Sequence, residues 1–375
     1  MYEYKKQKGK TKEYIKTIII VILLAIISVL LYNMYINIDI SNYETSEYKS
    51  SKIQQTANVE ETTTQDVTNV IEKASESVVG ISKLQDNGSS IFLKNSTSEL
   101  AIGTGIIISE DGYILTNQHV SGNKYSTSYV TLPNGKEYNA NVIWADEDID
   151  ISIIKINAKG LTTANIGDSD KIKVGNQVYA IGNPIGFEFQ RTVTSGIISA
   201  KDRTIKIEDE QKLTYMEDLI QTDATINLGN SGGPLIKSDG TVIGINTVKI
   251  TTAEGIGFAI PINIVKPIIS KIIEKGTFEE ANIGIFAYDK EVIPYLDSNL
   301  KFDNGIYVAQ VNIDGPASKS GLKEGDIITK IDNIELNKMS ELRSYIYLKS
   351  PNEEINLTVL RNNKKINISV KLGKK

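Results

Sequence analysis

The first pattern along the chain is an unbroken apolar segment near its start. Residues 17–38 are 22 consecutive positions without a charged side chain, most of them Ile, Leu or Val. A helix of about 20 apolar residues crosses the hydrocarbon core of a bilayer, so this segment is long enough to span one. Tyr32 and Tyr35 stand near its end, where aromatic side chains favour the membrane interface. The pattern predicts a transmembrane helix over residues 17–38.

Charge indicates the orientation of this helix. Residues 1–16 hold six lysines and two glutamates, a net charge of +4. Lysines that precede a span keep that end of the chain in the cytoplasm. We therefore expect a cytoplasmic basic tail at residues 1–16 and an extracytoplasmic remainder. The alternative is a cleaved signal peptide, but residues 33–39 contain no small-x-small cleavage site, which favours an uncleaved signal anchor.

Downstream of the span the pattern changes twice. Residues 39–65 are rich in Ser, Thr, Glu, Gln and Asn and lack an apolar period, which predicts a flexible stalk. Residues 66–77 place apolar side chains at helical spacing. Short β-branched runs punctuated by Gly, Asn, Asp and Pro then recur over residues 78–248, a pattern typical of an all-β barrel and not of βαβ units. A predicted helix at Ile262–Lys275 closes this domain, which we assign to residues 66–277.

A second domain is predicted over residues 279–373. Its elements mix strands with one clear helix, which indicates an α+β domain. The predicted strands lie at residues 305–311, 355–360 and 365–371, and the predicted helix lies at residues 339–349.

Composition narrows the possible chemistry. The chain has no cysteine and one histidine, which excludes disulfides, thiol nucleophiles and zinc sites built from Cys or paired His. The net charge of −5, from 41 basic and 46 acidic residues, is not the basic balance of a nucleic-acid-binding protein. We therefore expect no metal, no cofactor and no nucleic-acid partner.

A glycine-rich segment carries the first candidate for chemistry. Gly229–Pro234 reads G-N-S-G-G-P, in which the glycines permit a tight backbone that exposes the hydroxyl of Ser231. The N–H groups of Gly229 and Ser231 could then point at one oxygen and form an oxyanion hole. The alternative is a plain glycine-rich turn between strands.

Two further side chains complete a candidate constellation. His119, the only histidine, follows the strand-like run at Tyr113–Thr116 and is the only imidazole base that a serine nucleophile could use. Asp150 interrupts an apolar stretch and needs a compensating partner, which the Nδ1–H of an imidazole would provide. The alternatives are a histidine at the surface or in the core and an acidic loop that caps a strand.

The order of these residues points to a family. His119, Asp150, Ser231 is the order of chymotrypsin-like double β-barrel proteases, whereas an α/β-hydrolase has the order Ser, Asp, His. Around these residues the sequence resembles the HtrA/Deg family of membrane-associated serine proteases. The resembling segments are T-N-Q-H-V at 116–120, D-I-S-I-I-K at 150–155, A-I-G-N-P-I-G at 180–186, the nucleophile segment at 221–235 and I-G-F-A-I-P at 256–261. Residues 279–373 resemble the PDZ domain of that family.

The resemblance implies a fold, an activity and partners. The expected fold is an all-β chymotrypsin-like double β-barrel with an α+β PDZ domain and an N-terminal transmembrane helix. The expected partners are unfolded or misfolded protein substrates and peptide C-termini, and the expected assembly is a homotrimer. The short loop at residues 84–100 differs from the long regulatory insertion of some members, which argues against the largest caged oligomers. Smaller departures are Ser152, Thr225 and Leu228.

Candidate substrate contacts follow from the same segments. Thr225 stands six residues before Ser231, where a trypsin-like pocket has a carboxylate, and it is neutral. Ile256, Gly257 and Phe258 would add apolar walls, so we expect small or medium apolar P1 side chains with weak discrimination among them.

The start of the second domain supplies a candidate for peptide binding. Backbone N–H groups around Gly284, between Ile283 and Ile285, are expected to hold a peptide carboxylate while the peptide adds to a sheet edge. The alternative, that Ile283 and Ile285 are ordinary core residues, is compatible with this because only the backbone is used.

The sequence as a whole predicts a membrane-anchored serine endopeptidase that degrades misfolded or exposed proteins outside the cytoplasm. In this hypothesis Ser231 attacks the peptide carbonyl, His119 is the base and Asp150 orients His119. Two alternatives remain at this point: a chaperone or PDZ-led sensor with an idle protease fold, and a structural anchor for partner proteins.

Overall fold

The computed structural model describes residues 2–36, 64–84, 100–123, 128–182, 191–208, 213–227, 229–249, 255–296 and 300–375. These residues belong to two compact units, Met1–Glu60 and Glu61–Lys375. Most of the predicted stalk, the loop between residues 84 and 100, Leu228 and the second half of the 180–186 segment lie outside the described residues.

The first unit contains one long helix, α1 (Tyr2–Ile36). The helix includes the basic tail, so the predicted boundary at residue 17 is not a break in the backbone. Its segment Glu13–Asn33 has a mean hydropathy of 2.8 and no buried side chain. By length and composition this segment can cross a membrane.

The second unit begins with an amphipathic helix, α2 (Thr64–Ser75). Its apolar side chains Val67, Ile71 and Ala74 pack against the main hydrophobic core. The Ser75 hydroxyl donates to the carbonyl of Ile71 at 2.7 Å in the last turn. The helix starts two residues before the predicted position, so Thr64 and Gln65 are helical and do not belong to a stalk.

A closed six-stranded barrel follows, with strand order β1-β2-β3-β6-β5-β4. Its strands are β1 (Val78–Leu84), β2 (Leu100–Ile107), β3 (Tyr113–Thr116), β4 (Ser128–Thr131), β5 (Glu137–Asp146) and β6 (Ile151–Ile156). A short helix, α3 (Gln118–Ser121), follows β3. Buried Val and Ile side chains, among them Val79, Ile107 and Ile154, fill the barrel. These side chains belong to the short β-branched runs from which the sequence predicted a barrel.

A second closed barrel has the order β10-β11-β12-β9-β8-β7. Its strands are β7 (Gln177–Gly182), β8 (Thr192–Glu208), β9 (Leu213–Thr222), β10 (Pro234–Lys237), β11 (Val242–Lys249) and β12 (Gly257–Pro261). Helix α4 (Ile262–Lys275) follows and ends at Gly276, whose φ of 73° is the left-handed conformation that glycine adopts easily. Two closed barrels confirm the predicted double-barrel fold. We call residues 64–276, with both barrels, the barrel domain.

The predicted PDZ domain folds around a sheet of order β14-β15-β16-β18-β19, with β17 paired to β16 and β13 paired to β20. The strands are β13 (Ala281–Asn282), β14 (Ile285–Tyr288), β15 (Ile306–Val311), β16 (Ile327–Ile331), β17 (Ile334–Glu335), β18 (Glu354–Arg361), β19 (Lys364–Lys371) and β20 (Gly373–Lys374). The helices are α5 (Ile293–Leu296), α6 (Pro316–Lys319) and α7 (Met339–Leu348). This domain has its own core of buried aliphatic side chains.

Helix α7 and neighbouring residues of the PDZ domain pack on the barrel domain. Trp144, Phe278 and Tyr347 meet edge to face, with ring centroids 5.6 to 6.3 Å apart. Such aromatic pairs contribute about 0.5–1.5 kcal/mol beyond the area they bury. The Lys375 ammonium lies 2.7 Å from a carboxylate oxygen of Asp146 and 2.8 Å from one of Glu280. Apolar packing and charge pairing thus both join the two domains.

Strand β9 brings two further acidic residues to this interface. Burial, together with the nearby charge of Asp289, raises the pKa of Glu217 to about 8, while Arg343 opposes the shift. Burial also raises the pKa of Asp218 to about 6, although this carboxylate accepts a hydrogen bond from the backbone N–H of Ser340 at 2.8 Å. The interface therefore retains a proton on Glu217 at neutral pH.

This proton makes the stability of the fold dependent on pH. In an unfolded chain a glutamate titrates near pH 4.3. Between that pH and about 8 the folded state binds more protons, so the free energy of unfolding falls as the pH rises. We predict that Glu217→Gln, which is neutral at every pH, flattens this fall and is more stable than the wild type at pH 8.5 by about 1–3 kcal/mol. Denaturant unfolding at pH 6 and pH 8.5 measures it.

Glu335→Gln is the matched control, because Glu335 is exposed and its contact with Lys330 is a surface ion pair. Equal pH slopes in the wild type and in Glu217→Gln would contradict the prediction.

Candidate active site

The three residues of the candidate constellation come from both barrels. His119 lies on α3, which directly follows β3 of the first barrel. Asp150 lies in the turn between β5 and β6 of the same barrel, and Ser231 lies between β9 and β10 of the second. The two barrels are in contact at the loop of Ser231, because the backbone N–H of Thr104 on β2 donates to the carbonyl of Ser231 at 2.9 Å.

The His119 ring and the Asp150 carboxylate are in direct contact. Nδ1 of His119 lies 2.9 Å from each carboxylate oxygen of Asp150, and the backbone N–H of His119 donates to Oδ1 at 3.1 Å. Because a carboxylate only accepts, the neutral imidazole holds its hydrogen on Nδ1 and its lone pair on Nε2.

The local backbone holds Asp150 in this position. Asp150 has a φ of 51°, in the left-handed region that aspartate tolerates better than most residues. Its carbonyl accepts a hydrogen bond from the side-chain amide of Asn117 at 2.8 Å. Asn117 itself is buried and directly precedes α3. The turn and the histidine helix are thereby fixed to each other.

Thr247 of β11 joins the two barrels at the site. Its hydroxyl donates to Oδ2 of Asp150 at 2.7 Å, and its carbonyl accepts from the hydroxyl of Ser231 at 3.0 Å. One continuous series of hydrogen bonds thus runs from His119 through Asp150 and Thr247 to Ser231. The sequence interpretation missed Thr247, although a signal was present, because Asn246 and Thr247 are two polar residues within a largely apolar run. The structure buries both of them.

The loop that carries Ser231 is tightly packed and requires glycine. Gly229 and Gly232 have φ angles of 97° and 82°. A Cβ on Gly232 would lie 2.2 Å from the carbonyl oxygen of Thr104, which is closer than any real contact. The hydroxyl of Thr104 also donates to the carbonyl of Gly229. The glycines of the motif are therefore needed for the close approach of the first barrel.

The candidate pocket residues differ in exposure. Thr225 is exposed and Ile256 is partly buried, whereas Gly257 is buried so closely that a Cβ there would lie 2.4 Å from Ile226. Phe258 is 3% exposed and belongs to the main hydrophobic core. Phe258, which we expected to add an apolar wall, therefore contacts the core and not the solvent-facing surface at this position.

The candidate peptide loop has the backbone that its glycine suggests. Gly284 has a φ of 78°, and its carbonyl accepts from the N–H of Asn312 at 3.0 Å. The carbonyl of Ile283 accepts from the N–H of Ala317 at 2.9 Å, which ties the loop to α6. Ile283 is buried and Ile285 is partly buried against the core of the same domain.

Comparison with known families matches both domains. The trypsin-like peptidase domain family matches residues 103–245. The PDZ domain family matches residues 241–372. The second match begins inside the barrel domain, whereas the separate hydrophobic core of the PDZ domain begins at Ala281.

Individual proteins give the same result. The chain is 37% identical over 329 residues to the serine protease Do-like HtrA of Bacillus subtilis, which covers 82% of this chain and 73% of that protein. It is 40% identical over 277 residues to a probable periplasmic serine endoprotease, DegP-like, of Chlamydia muridarum, over 72% of this chain and 53% of the relative.

Among solved structures, the HtrA-type protease AlgW with a tripeptide is 34% identical, with a TM-score of 0.62, over 82% of this chain and 97% of the other. Agreement in both domains, in sequence and in fold, places this chain in the HtrA family of serine proteases, as a serine-type endopeptidase with a trypsin-like domain and a PDZ domain.

Proposed function

We propose that His119, Asp150 and Ser231 form the catalytic triad of this endopeptidase. The observation that carries the proposal is the contact of His119 Nδ1 with both carboxylate oxygens of Asp150 at 2.9 Å. With Nδ1 occupied, the lone pair of Nε2 is available as a base. Before attack, the Ser231 hydroxyl, which donates to the Thr247 carbonyl here, would exchange this acceptor for Nε2 of His119.

The proposed reaction is acyl transfer in two halves. The Ser231 oxygen attacks the substrate carbonyl while its proton moves to Nε2 of His119, and the imidazolium then gives this proton to the leaving amine. Asp150 stabilises the imidazolium and keeps the ring oriented. Water repeats the sequence on the acyl-enzyme and releases the acid product. Apart from the substrate and this water, the proposed steps use only groups of this chain.

The oxyanion that forms in each half needs hydrogen-bond donors. We assign this role to the N–H groups of Gly229 and Ser231. The positive φ of Gly229 and the hydrogen bond from the N–H of Gly233 to the carbonyl of Asn230 at 3.0 Å support the assignment, because this bond orients the peptide plane that carries the N–H of Ser231. Donors of this kind contribute about 2.7–4 kcal/mol each to the stabilisation of the transition state.

For the S1 pocket we propose Thr225, Ile256 and Gly257, with Phe258 as support from the core. The pocket offers no carboxylate at Thr225, so an apolar P1 side chain suits it better than Lys or Arg. One methylene changes the binding free energy by only about 1–3 kcal/mol, so the pocket would discriminate only weakly among Val, Ala, Ile and Leu as P1 side chains.

For the PDZ domain we propose that Ile283, Gly284 and Ile285 hold the C-terminus of a peptide. The left-handed backbone at Gly284 supports this, because a peptide carboxylate is held by successive backbone N–H groups in such turns. The HtrA-type protease AlgW has been solved with a decapeptide and with a tripeptide.

The cellular arrangement we propose follows from α1. Residues 1–16 form a cytoplasmic basic tail, residues 17–38 an uncleaved single-pass anchor and residues 39–63 a stalk. The barrel domain and the PDZ domain then lie outside the cytoplasm, where they degrade misfolded proteins as a homotrimer. The apolar segment Glu13–Asn33 and the periplasmic relative support this arrangement.

The nucleophile assignment is tested by Ser231→Ala. We predict a loss of kcat on the order of 10⁶, with an unchanged circular dichroism spectrum because the Ser231 hydroxyl contributes one hydrogen bond at a partly exposed position. Hydrolysis of unfolded casein and labelling by a fluorophosphonate measure it. Ser238→Ala, in an exposed turn, is the control. Protease activity retained by purified Ser231→Ala would refute the triad.

The contact of Thr247 with Asp150 is tested by Thr247→Val, which keeps the shape and removes the donor. We predict that kcat falls about 10–100-fold, because this factor corresponds to the free energy of a hydrogen bond to a charged group. KM should change little. Thr241→Val is the control, because Thr241 donates to Asp239 at 2.6 Å in a turn away from the site. Equal rates for both variants would show that the Thr247 hydroxyl has no part in orienting Asp150.

The peptide site is tested through the peptide, because any substitution at Gly284 strains its backbone. We predict that a short peptide with a C-terminal Val binds at least about tenfold more tightly as the free acid than as the amide, since a charge-assisted hydrogen bond is about twice as strong as a neutral one. Calorimetry on the Ser231→Ala protein measures this. Equal affinities, or none across a library of C-termini, would exclude carboxylate recognition.

A further inference from the structure

Asn230 lies between the two residues to which we assign the oxyanion N–H groups, yet neither the reaction nor the pocket uses its side chain. It is 4% exposed. A buried carboxamide loses free energy unless its oxygen and its nitrogen both find partners. The side chain of Asn230 therefore has a structural or positioning task.

Both ends of this carboxamide bind the backbone of the preceding loop. Its Oδ1 accepts from the N–H of Asn227 at 3.0 Å, and its Nδ2 donates to the carbonyl of Thr225 at 3.1 Å. An N–H can only donate and a carbonyl can only accept, so the orientation of the amide is determined. Position 230 must supply one acceptor and one donor at the same time.

The surroundings leave this side chain no freedom. A Cβ on Gly182 of β7 would lie 2.2 Å from the Cβ of Asn230, so that glycine is what admits Asn230. The carbonyl of Thr225 also accepts from the hydroxyl of Thr194 on β8 at 2.8 Å. Backbone bonds from Asn230 to Asn227, and from Gly233 to Asn230, close the same loop. The carboxamide thus ties the pocket residue Thr225 to the nucleophile segment.

We propose that Asn230 is a positioning residue that fixes the N–H groups of Gly229 and Ser231 and the edge of the S1 pocket through its two hydrogen bonds. The proposal rests on the oxyanion role proposed above. Alanine at this position would supply neither bond. An ionised aspartate would keep the acceptor but place a negative charge against the carbonyl of Thr225. A protonated aspartic acid would again supply an O–H donor and a carbonyl acceptor.

This difference gives the variant Asn230→Asp a pH signature. Among the described residues, charged groups on the segments around position 230 include Asp223 on the same loop, Arg191 before β8, the charged side chains of β8, and His119 with Asp150 from the first barrel. The wild type contains all of them, so dividing the activity of the variant by that of the wild type removes the pH dependence that both proteins share. We expect this ratio to rise as the pH falls, because the new carboxyl is buried and faces a carbonyl, both of which favour its protonated form.

The experiment compares the wild type, Asn230→Asp, Asn230→Ala and Asn263→Ala between pH 5 and pH 8.5. The readouts are kcat and KM for a peptide substrate, the rate of fluorophosphonate labelling, and the melting temperature. Asn263 is the matched control, because its amide makes the same kind of bridge, to Asp168 at 2.8 Å and from the N–H of Ser169 at 3.3 Å, away from the site.

The expected result is a kcat for Asn230→Asp about 10–100-fold below the wild type at pH 8, a deficit no larger than removal of one oxyanion donor. At pH 5.5 this deficit should shrink at least tenfold. Asn230→Ala should have a kcat below that of the wild type at every pH, and Asn263→Ala should keep the wild-type kcat.

Wild-type values of kcat in both Asn230 variants would overturn the proposal, and so would a deficit in kcat of Asn230→Asp that is the same at every pH. Failure of both variants to fold while Asn263→Ala folds would also overturn it, because Asn230 would then be purely structural. Failure of the proposed triad is separate, because it would appear as activity in Ser231→Ala.

Discussion

The carboxylate of Asp150 is the constraint on which the rest of the site depends. It accepts hydrogen bonds from the backbone and the ring of His119 in the first barrel and from the hydroxyl of Thr247 in the second. A carboxylate removed from water costs free energy unless donors surround it. Two donors come from one barrel and one from the other, so a shift of either barrel would leave this carboxylate short of partners. The geometry of the site is in this way tied to the packing of the whole barrel domain.

The same physical rule connects the site with the PDZ domain. The turn that presents Asp150 begins at Asp146, whose Oδ1 accepts from the N–H of Asp148 at 2.8 Å and whose Oδ2 lies 2.7 Å from the ammonium of Lys375. Burial opposes the ionised form of Asp146, but the nearby ammonium of Lys375 outweighs this effect, so the pKa of Asp146 is lowered overall. The turn is therefore held at its start by the PDZ domain and at its end by His119 and Thr247.

Local pattern was sufficient for much of the fold. The helix at Ile262–Lys275 and the strand at Tyr113–Thr116 lie where the apolar periods predicted them. Strand β9 is harder to predict from such a period, because Glu217 and Asp218 interrupt its apolar pattern. These acids are tolerated in a strand because they face the PDZ domain, where Asp218 accepts from Ser340 and Glu217 retains a proton. A residue pattern reports the periodicity of an element but not the identity of what packs on it.

The sequence by itself determined the double-barrel class, the two domains, the apolar N-terminal helix and the candidate residues His119, Asp150 and Ser231. Each of these can be identified from a local hydrophobic period or from short sequence motifs. Only the tertiary structure decided that Thr247 bridges Asp150 and Ser231, that Phe258 faces the core and that the side chain of Asn230 forms hydrogen bonds with the backbone of the preceding loop. These three facts depend on contacts between segments distant in sequence or on which side of a strand faces inward. Hydrogen bonds and close packing act over a few ångströms in space, so they become visible only once the chain has brought those segments together.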